Sequence, residues 1–265
     1  MHQELATLVQ PVTTVATMAG NRILEIYNTE FEVETKDDQS PLTAADKASH
    51  ITIIEALAEL TPEIPILSEE SVEVPWEERS QWPEYWLIDP LDGTKEFIKK
   101  NGEFTVNIAL IQGNQAVFGV VYVPVTGRCF YGFQGGGSFE LTATGETKKI
   151  CVTSPAPDPV RVVGSRSHRG ELVDAYLNKL GNHVMVPMGS SLKLCLIATG
   201  EADIYPRLGL TSEWDTAAAQ AVVECAGGKV VQLDGSPIMY NAKKDILNPH
   251  FLVFGDLARD WTSYL

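Results

Sequence analysis

A chain of 265 residues, 44% of them hydrophobic, can bury a sizeable core as one large domain or two half-sized ones, which argues against a disordered polymer. Its formal charge of −15 and pI near 4.7 argue against non-specific nucleic-acid binding, which needs a basic surface to displace counterions. An anionic ligand would need metal ions, or a few placed Lys and Arg residues, to enter against the global field.

The stretch from Met1 to Gly20 carries Glu4 and lacks a basic segment ahead of its apolar residues. It never runs apolar long enough for a signal or spanning helix, so no transmembrane segment and a cytoplasmic location are expected. Cys129, Cys151, Cys195 and Cys225 are far apart, without the close spacing of a zinc or redox pair, and read as small buried hydrophobes.

From Leu5, the residues Leu8, Val12, Val15, Ala19, Ile23 and Ile26 recur at steps of three and four, which predicts one helix whose start Pro11 shifts. Residues 31–34 alternate like a short strand and 36–41 make a turn. Thr43-Ala44-Ala45-Asp46 opens a second helix ending near Leu60, ahead of Pro62. Here Asp46 admits a capping reading, turning back to the Thr43 N–H. Residues 64–67 are a short buried strand followed directly by Ser68-Glu69-Glu70-Ser71. Adjacent acids are commonly a solvated turn, yet the end of an apolar strand is where open α/β sheets place ligands. Residues 72–85 read as an irregular surface excursion.

Next comes Trp86-Leu87-Ile88-Asp89-Pro90-Leu91-Asp92-Gly93-Thr94-Lys95-Glu96-Phe97, a buried strand end delivering two carboxylates three residues apart into a turn broken by Pro90 and closed by Gly93. Acids held so close repel unless a cation lies between them, and oxygen donors suit a hard divalent metal. Gly93 and Thr94 offer backbone N–H groups and a hydroxyl, the groups that cradle a phosphate oxygen where a helix begins. Metal beside phosphate is the first functional hypothesis.

Residues 104–111 and 115–123 are long strands joined by Gly113-Asn114, a hairpin signal. Strands over 128–133 and 138–141 follow, and the glycines at 135–137 read as a turn. The proline-rich run 154–159 marks the expected boundary between an N-terminal half, 1–153, and a C-terminal half, 154–265. Beyond it strands (160–163, 183–186, 202–205, 228–232, 251–254) alternate with helices (171–180, 192–198, 216–226, 256–264), implying sheet layered with helices. Asp215, in Trp214-Asp215-Thr216, reads as an N-cap, a cation ligand, or both.

Together, Asp89-Pro90-Leu91-Asp92-Gly93-Thr94, Trp214-Asp215 and Glu69-Glu70 resemble the inositol-monophosphatase-like superfamily of metal-dependent, lithium-sensitive phosphatases. Lys95-Glu96-Phe97 and the run Asn101 to Leu110 are similar to its bacterial 3′(2′),5′-bisphosphate nucleotidases, the CysQ type, and the match extends from about Asp46 to Gly228. The resemblance implies an inositol-monophosphatase/fructose-bisphosphatase-like α/β fold of five layers, α/β/α/β/α. It also implies magnesium, as two or three ions, with inhibition by lithium. Carried over by residue, Glu69, Asp89 as the bridge, the Leu91 carbonyl, Asp92 and Asp215 are metal ligands. Asp46, Glu70 and Thr94 hold a further ion or its water and orient the nucleophile, which replaces the capping reading of Asp46 and leaves Thr43 as a cap. Around the substrate the resemblance places Glu69, Leu91, Asp92, Gly93, Thr94 and Asp215 at the scissile phosphate. Ser190, Lys193 and Arg207 fall on the non-scissile 5′ side, and His168 near the nucleotide.

The expected reaction removes the 3′-phosphate of adenosine 3′,5′-bisphosphate (PAP), giving AMP and phosphate, with action on the sulfated form, PAPS, in sulfur assimilation. Its rivals are an inositol or sugar phosphate monoesterase on the same metal site and a non-catalytic metal-binding regulatory protein. The partner is thus a small nucleotide bisphosphate, not nucleic acid. Monomer and homodimer stay open, and peripheral association with the cytoplasmic face of the inner membrane is implied by resemblance only.

Overall fold

Helix α1 (His2–Tyr27) buries Leu5, Val12, Val15, Ala19 and Ile23 along the expected stripe. The structure, a computed structural model, describes residues 2–30, 33–35, 41–164 and 170–265. Pro11 does not reset the helix start: it lies inside α1. The interior proline penalty, about 3 kcal/mol, is offset by packing of the apolar stripe on α2 and the central strands.

Strands β1 (Val33–Thr35) and β2 (Pro41–Thr43) pair antiparallel. The strand expected from residue 31 lies partly outside the described residues, as does the turn at 36–40, while Pro41 belongs to β2. Thr43 caps α2 (Ala44–Leu60).

Strand β3 (Ile66–Ser68), helix α3 (Trp76–Arg79), strand β4 (Glu84–Asp92) and helix α4 (Thr94–Ile98) come next. The excursion at 72–85 is therefore not wholly irregular. Arg79 of α3 is buried, donating to the Asn241 side-chain oxygen and, at 2.6 Å, to the Lys244 carbonyl. Strands β5 (Thr105–Gln112), β6 (Gln115–Val123), β7 (Arg128–Phe133), β8 (Gly137–Leu141) and β9 (Thr147–Ile150) complete a sheet of order β3-β4-β5-β6-β7-β8-β9. Only β3 and β4 in it run parallel. Gly113 and Asn114, with φ of 54° and 66°, make the two-residue turn expected between β5 and β6. Strand β9 was not expected. Its first residues, Thr147 to Lys149, are exposed, as suits a charged sheet edge, so it lacks the apolar alternation that announces a strand.

The second sheet holds β10 (Val160–Gly164), β11 (His183–Pro187), β12 (Ile204–Arg207), β13 (Lys229–Gln232) and β14 (Phe251–Phe254) in the order β11-β10-β12-β14-β13. With it come α5 (Glu171–Leu180), α6 (Leu192–Ala198) and α7 (Glu213–Cys225). A helix was expected over 256–264, but only a 3₁₀ turn, Thr262–Tyr264, forms there. Asp256 accepts hydrogen bonds from the Ser154 hydroxyl and the Ala156 and Ala258 N–H groups. Asp260 accepts from the N–H groups of Thr262 and Ser263. Such side-chain bonds compete with the helical ladder.

Helices α1 and α2 cover one face of the seven-stranded sheet, and α6 and α7 lie between its other face and the second sheet. Packed on the far face of the second sheet are Tyr176, Leu177 and Leu180 of α5, with Trp261. Five layers, α/β/α/β/α, result. This explains why antiparallel strands read as unbroken apolar runs. In β4, Tyr85 and Leu87 enter the core under α7 while Trp86 and Ile88 enter the core under α1 and α2. Both faces are dry. Cys129 and Cys195 are buried as expected and Cys225 is half-buried, but Cys151 is exposed. Among the described residues no helix is long and apolar enough to cross a membrane.

Candidate functional site

The parallel register of β3 and β4 pairs Ser68 with Ile88, so the next residues, Glu69 and Asp89, lie side by side where β3 ends. The Glu69 N–H continues that ladder, donating to the Ile88 carbonyl at 3.1 Å. On its other side β4 pairs with β5, Asp89 opposite Asn107 and Asp92 opposite Thr105, with a register shift between them. Pro90 therefore does not end the strand, as the sequence suggested. It lies in this irregularity, where no ladder N–H is required, and its carbonyl accepts the Ser49 hydroxyl at 2.7 Å. The bulge brings Asp89 and Asp92 to one end of the strand, and the Leu91 N–H holds Asp89 Oδ1 at 3.0 Å.

Gly93, with φ of 95°, turns the chain from β4 into α4. A side chain there would be strained, and a Cβ would also lie 3.1 Å from the Glu103 carbonyl oxygen. Thr94 follows, its hydroxyl 3.3 Å from Asp46 Oδ1 and 3.5 Å from the Leu91 carbonyl. The capping reading of Asp46 is restored for one oxygen: Oδ2 accepts the Thr43 N–H at 2.8 Å and the Thr43 hydroxyl at 2.6 Å. Its other oxygen faces Thr94, so the cap and the position beside the acid cluster coexist.

Asp215 is not the N-cap of its helix. Ser212 is, and Asp215 is the third helical residue, its Oδ2 accepting the Ser212 N–H at 2.9 Å in a second capping box. A cavity of about 300 Å³ is lined by Glu69, Asp89, Leu91, Asp92, Gly93, Thr94, Lys95, Glu96 and Asp215. Burial first, then the charges of Glu69, Asp92 and Asp215, hold the Asp89 carboxyl well above the ordinary carboxylate range. Asp215 is pushed up to about 8 by burial and by Asp92. Among the described residues no three Asp, Glu, His or Cys side chains already close on one point. Like charges oppose it, and backbone bonds hold Asp89, Asp92 and Asp215 in separate places. Glu70 does not line this cavity. Its field acts on His50, which burial shifts downward and Glu70 partly restores.

A smaller cavity of about 170 Å³ shares Asp92, Gly93, Glu96 and Asp215 with the first and adds Ser190, Lys193, Tyr205 and Arg207. Lys193 Nζ donates to the Ser190 carbonyl at 2.6 Å and stands 5.7 Å from the Tyr205 ring centroid. Arg207 donates to the Leu210 carbonyl at 2.5 Å, and its buried Nε has no hydrogen-bond partner among the described residues. A third hollow, about 420 Å³, shares Tyr205 and Arg207 and adds apolar walls from Val162, Met185 and Leu208. His168 lies outside the described residues. Ser191 and Asn107 were missed. Asn107 left a signal, a lone amide inside an apolar strand run, whereas Ser191 was masked by its role as a helix starter.

The inositol monophosphatase family model matches residues 4–260. The chain is 47% identical over 248 residues to the 3′(2′),5′-bisphosphate nucleotidase CysQ of Salmonella typhimurium, covering 93% of this chain and 99% of that protein. It superposes on the crystal structure of CysQ from Bacteroides thetaiotaomicron with a TM-score of 0.82 at 37% identity, covering 95% and 98% of the two chains. The inositol monophosphatase of Anabaena matches with a TM-score of 0.78 at 25% identity, over 98% and 96%. With a family model spanning nearly its whole length, the chain belongs to the inositol monophosphatase family.

Proposed function

We propose that the chain is a magnesium-dependent phosphatase that removes the 3′-phosphate of PAP to give AMP, and that it also accepts PAPS in sulfur assimilation. The observation that carries this is the joining of an acidic cavity, through Asp92, Gly93, Glu96 and Asp215, to a second one that adds the cations Lys193 and Arg207. One suits a phosphate held through cations, the other a second phosphate held directly by Lys193 and Arg207. Support comes from the Salmonella and Bacteroides relatives, whose names describe such a nucleotidase or its type. The apolar hollow beyond Arg207 suits a nucleoside.

The donor set fits a hard divalent cation: the acidic cavity offers carboxylates and a backbone, with no Cys or His in its lining. Glu69, Asp89, the Leu91 carbonyl, Asp92 and Asp215 would hold two or three magnesium ions. When bound, magnesium supplies the positive charge that neutralises the ester and activates water for in-line attack. Lithium would inhibit, as the family resemblance implies. The remaining roles belong to side chains. Asp46 Oδ1 accepts a hydrogen bond from the Thr94 hydroxyl, which leaves the Thr94 lone pairs to hold the attacking water, and the family resemblance adds Glu70, from outside the cavity lining, to orient it. Ser190, Lys193, Arg207 and His168 hold the nucleotide away from the scissile bond. On this reading residues 1–153 supply the metal site except Asp215, 154–265 supply the nucleotide side, and the enzyme works in the cytoplasm.

Lys193→Ala tests the nucleotide assignment. A lost charge-assisted hydrogen bond, about 1.5–3 kcal/mol, should raise KM for PAP about 10- to 100-fold. For inositol 1-phosphate, which has no second phosphate, KM should stay within about twofold. Equal changes for both would favour a monoesterase on the same site.

A further inference from the structure

Ser191 is the N-cap of α6 and is 2% exposed. Its backbone N–H lies 2.5 Å from Asp92 Oδ2, and its hydroxyl lies 2.7 Å from the same oxygen and 2.6 Å from the Asp215 carbonyl. The Asn107 amide donates to this hydroxyl at 2.9 Å, and the Thr105 hydroxyl fixes that amide by donating to Asn107 Oδ1 at 3.1 Å. Both Thr105 and Asn107 are buried. A hydroxyl has one proton, and an amide NH₂ can only donate, so the Ser191 proton is confined to Asp92 Oδ2 or the Asp215 carbonyl. The Thr105–Asn107 and Asn107–Ser191 bonds are buried, where each is stronger than in water, while the bonds from Ser191 to Asp92 and Asp215 lie at the cavity edge.

The contact joins parts of the fold that come from distant sequence. Asp92 ends β4 in the large sheet, Asp215 is in the first turn of α7, and Ser191 caps a helix packed on the second sheet. The segment bearing Ser191 is itself anchored, because the Gly189 N–H donates to Glu103 Oε2 at 2.8 Å. The Gly189 backbone passes close to α4 and its loop, since a Cβ there would meet Glu96 and Glu103 at 2.9–3.0 Å.

We infer that Ser191, oriented by Thr105 and Asn107, is a positioning residue that sets Asp92 and Asp215 against each other so that both can hold cations. This rests on the proposed ligand roles of those two acids. Removing the hydroxyl would strand the buried Asn107 amide and release the Asp215 carbonyl, while the Ser191 N–H would keep a looser hold on Asp92. Alanine therefore loosens the site without deleting a ligand.

The test is calorimetric titration of magnesium, without substrate, into the wild-type protein and the Ser191→Ala, Asn107→Leu and Asp92→Asn variants, each melted first in EDTA. Ser191→Ala should bind magnesium about 10- to 100-fold more weakly, and Asn107→Leu should shift it the same way by less. Both should melt in EDTA within a few degrees of wild type. Unchanged affinity in Ser191→Ala, with affinity lost in Asp92→Asn, would overturn the inference and leave the ligand assignment standing. Unchanged affinity in Asp92→Asn would overturn the ligand assignment itself. If Ser191→Ala does not fold, Asn107→Leu decides, and wild-type affinity there overturns the inference.

Discussion

Replacing Asp92 with Asn is expected to lower kcat/KM for PAP by at least about 10³-fold, about 4 kcal/mol of transition-state stabilisation, with the fold intact. Asp92 Oδ2 already accepts the Ser191 N–H, so the substituted side chain must keep its oxygen there. Its NH₂ group then faces the position where a cation would be held, with no charge and no lone pair to offer. The metal-free protein should be stabilised if it changes at all. Asp92 is one of the acids that raise Asp89 and Asp215 above their ordinary range, so deleting its charge relieves that repulsion. Steady-state kinetics in magnesium, with melting curves in EDTA, check both halves. Near-wild-type turnover would remove Asp92 from the ligand set.

Gly119→Ala is expected to cost about 3 kcal/mol of stability, the upper part of the range for overpacking a core. A Cβ at this position of β6 would lie 2.1 Å from the Ala218 carbonyl oxygen and 2.8 Å from its carbon. Those are backbone atoms of α7, so no rotamer change can relieve the clash. The helix must move. Because α7 packs on both sheets and carries Asp215 in its first turn, the displacement reaches the acid cluster. A shift near 1 Å at a reacting group can cost about 10²-fold in rate, so activity should fall with stability. Urea unfolding should show a lower midpoint with an unchanged slope. Gly209→Ala, where an added Cβ meets nothing within 4 Å among the described residues, should stay within about 0.5 kcal/mol of wild type. Equal midpoints for Gly119→Ala and wild type would contradict the close seating of α7 on β6.

How far the sequence could be read follows from which forces announce themselves locally. The helices over 171–180 and 192–198 and the strand over 251–254 stand where the apolar pattern put them: α5 turns Tyr176, Leu177 and Leu180 to one core, and in β14 Phe251 and Val253 enter one core while Leu252 enters another. The five-layer order came from the family resemblance, since no local pattern says which face of a strand meets which helix. Local rules failed where tertiary contacts overrode them. Pro90 looked like a strand breaker but occupies a bulge between Asp89 and Asp92, and Pro11 sits inside a helix held down by its neighbours. Asp215 read as an N-cap because Ser212, three residues earlier, is an equally good one. Cys151 read as buried because it stands between Ile150 and Val152.

The acid cluster was legible for a physical reason: Glu69, Asp89 and Asp92 each follow or interrupt an apolar run, and Asp215 stands just ahead of one, where a charge is costly unless it has a function. What fixes those acids was not. Ser191 meets Asp92 across 99 positions and Asn107 across 84, and no spacing rule links residues that far apart. The capping boxes of Thr43 with Asp46 and Ser212 with Asp215 show a related economy. In each, a site acid also closes the first turn of a helix, so a local signal and a functional one fall on the same residue.

The most direct measurement of the central claim is phosphate release from PAP, inositol 1-phosphate and fructose 1,6-bisphosphate, with magnesium or EDTA, and with or without lithium. The account predicts release that requires magnesium, falls with lithium and is greatest, by kcat/KM, for PAP. Release favouring inositol 1-phosphate would contradict the nucleotide assignment, and no magnesium-dependent release from any of the three would contradict the enzyme reading altogether.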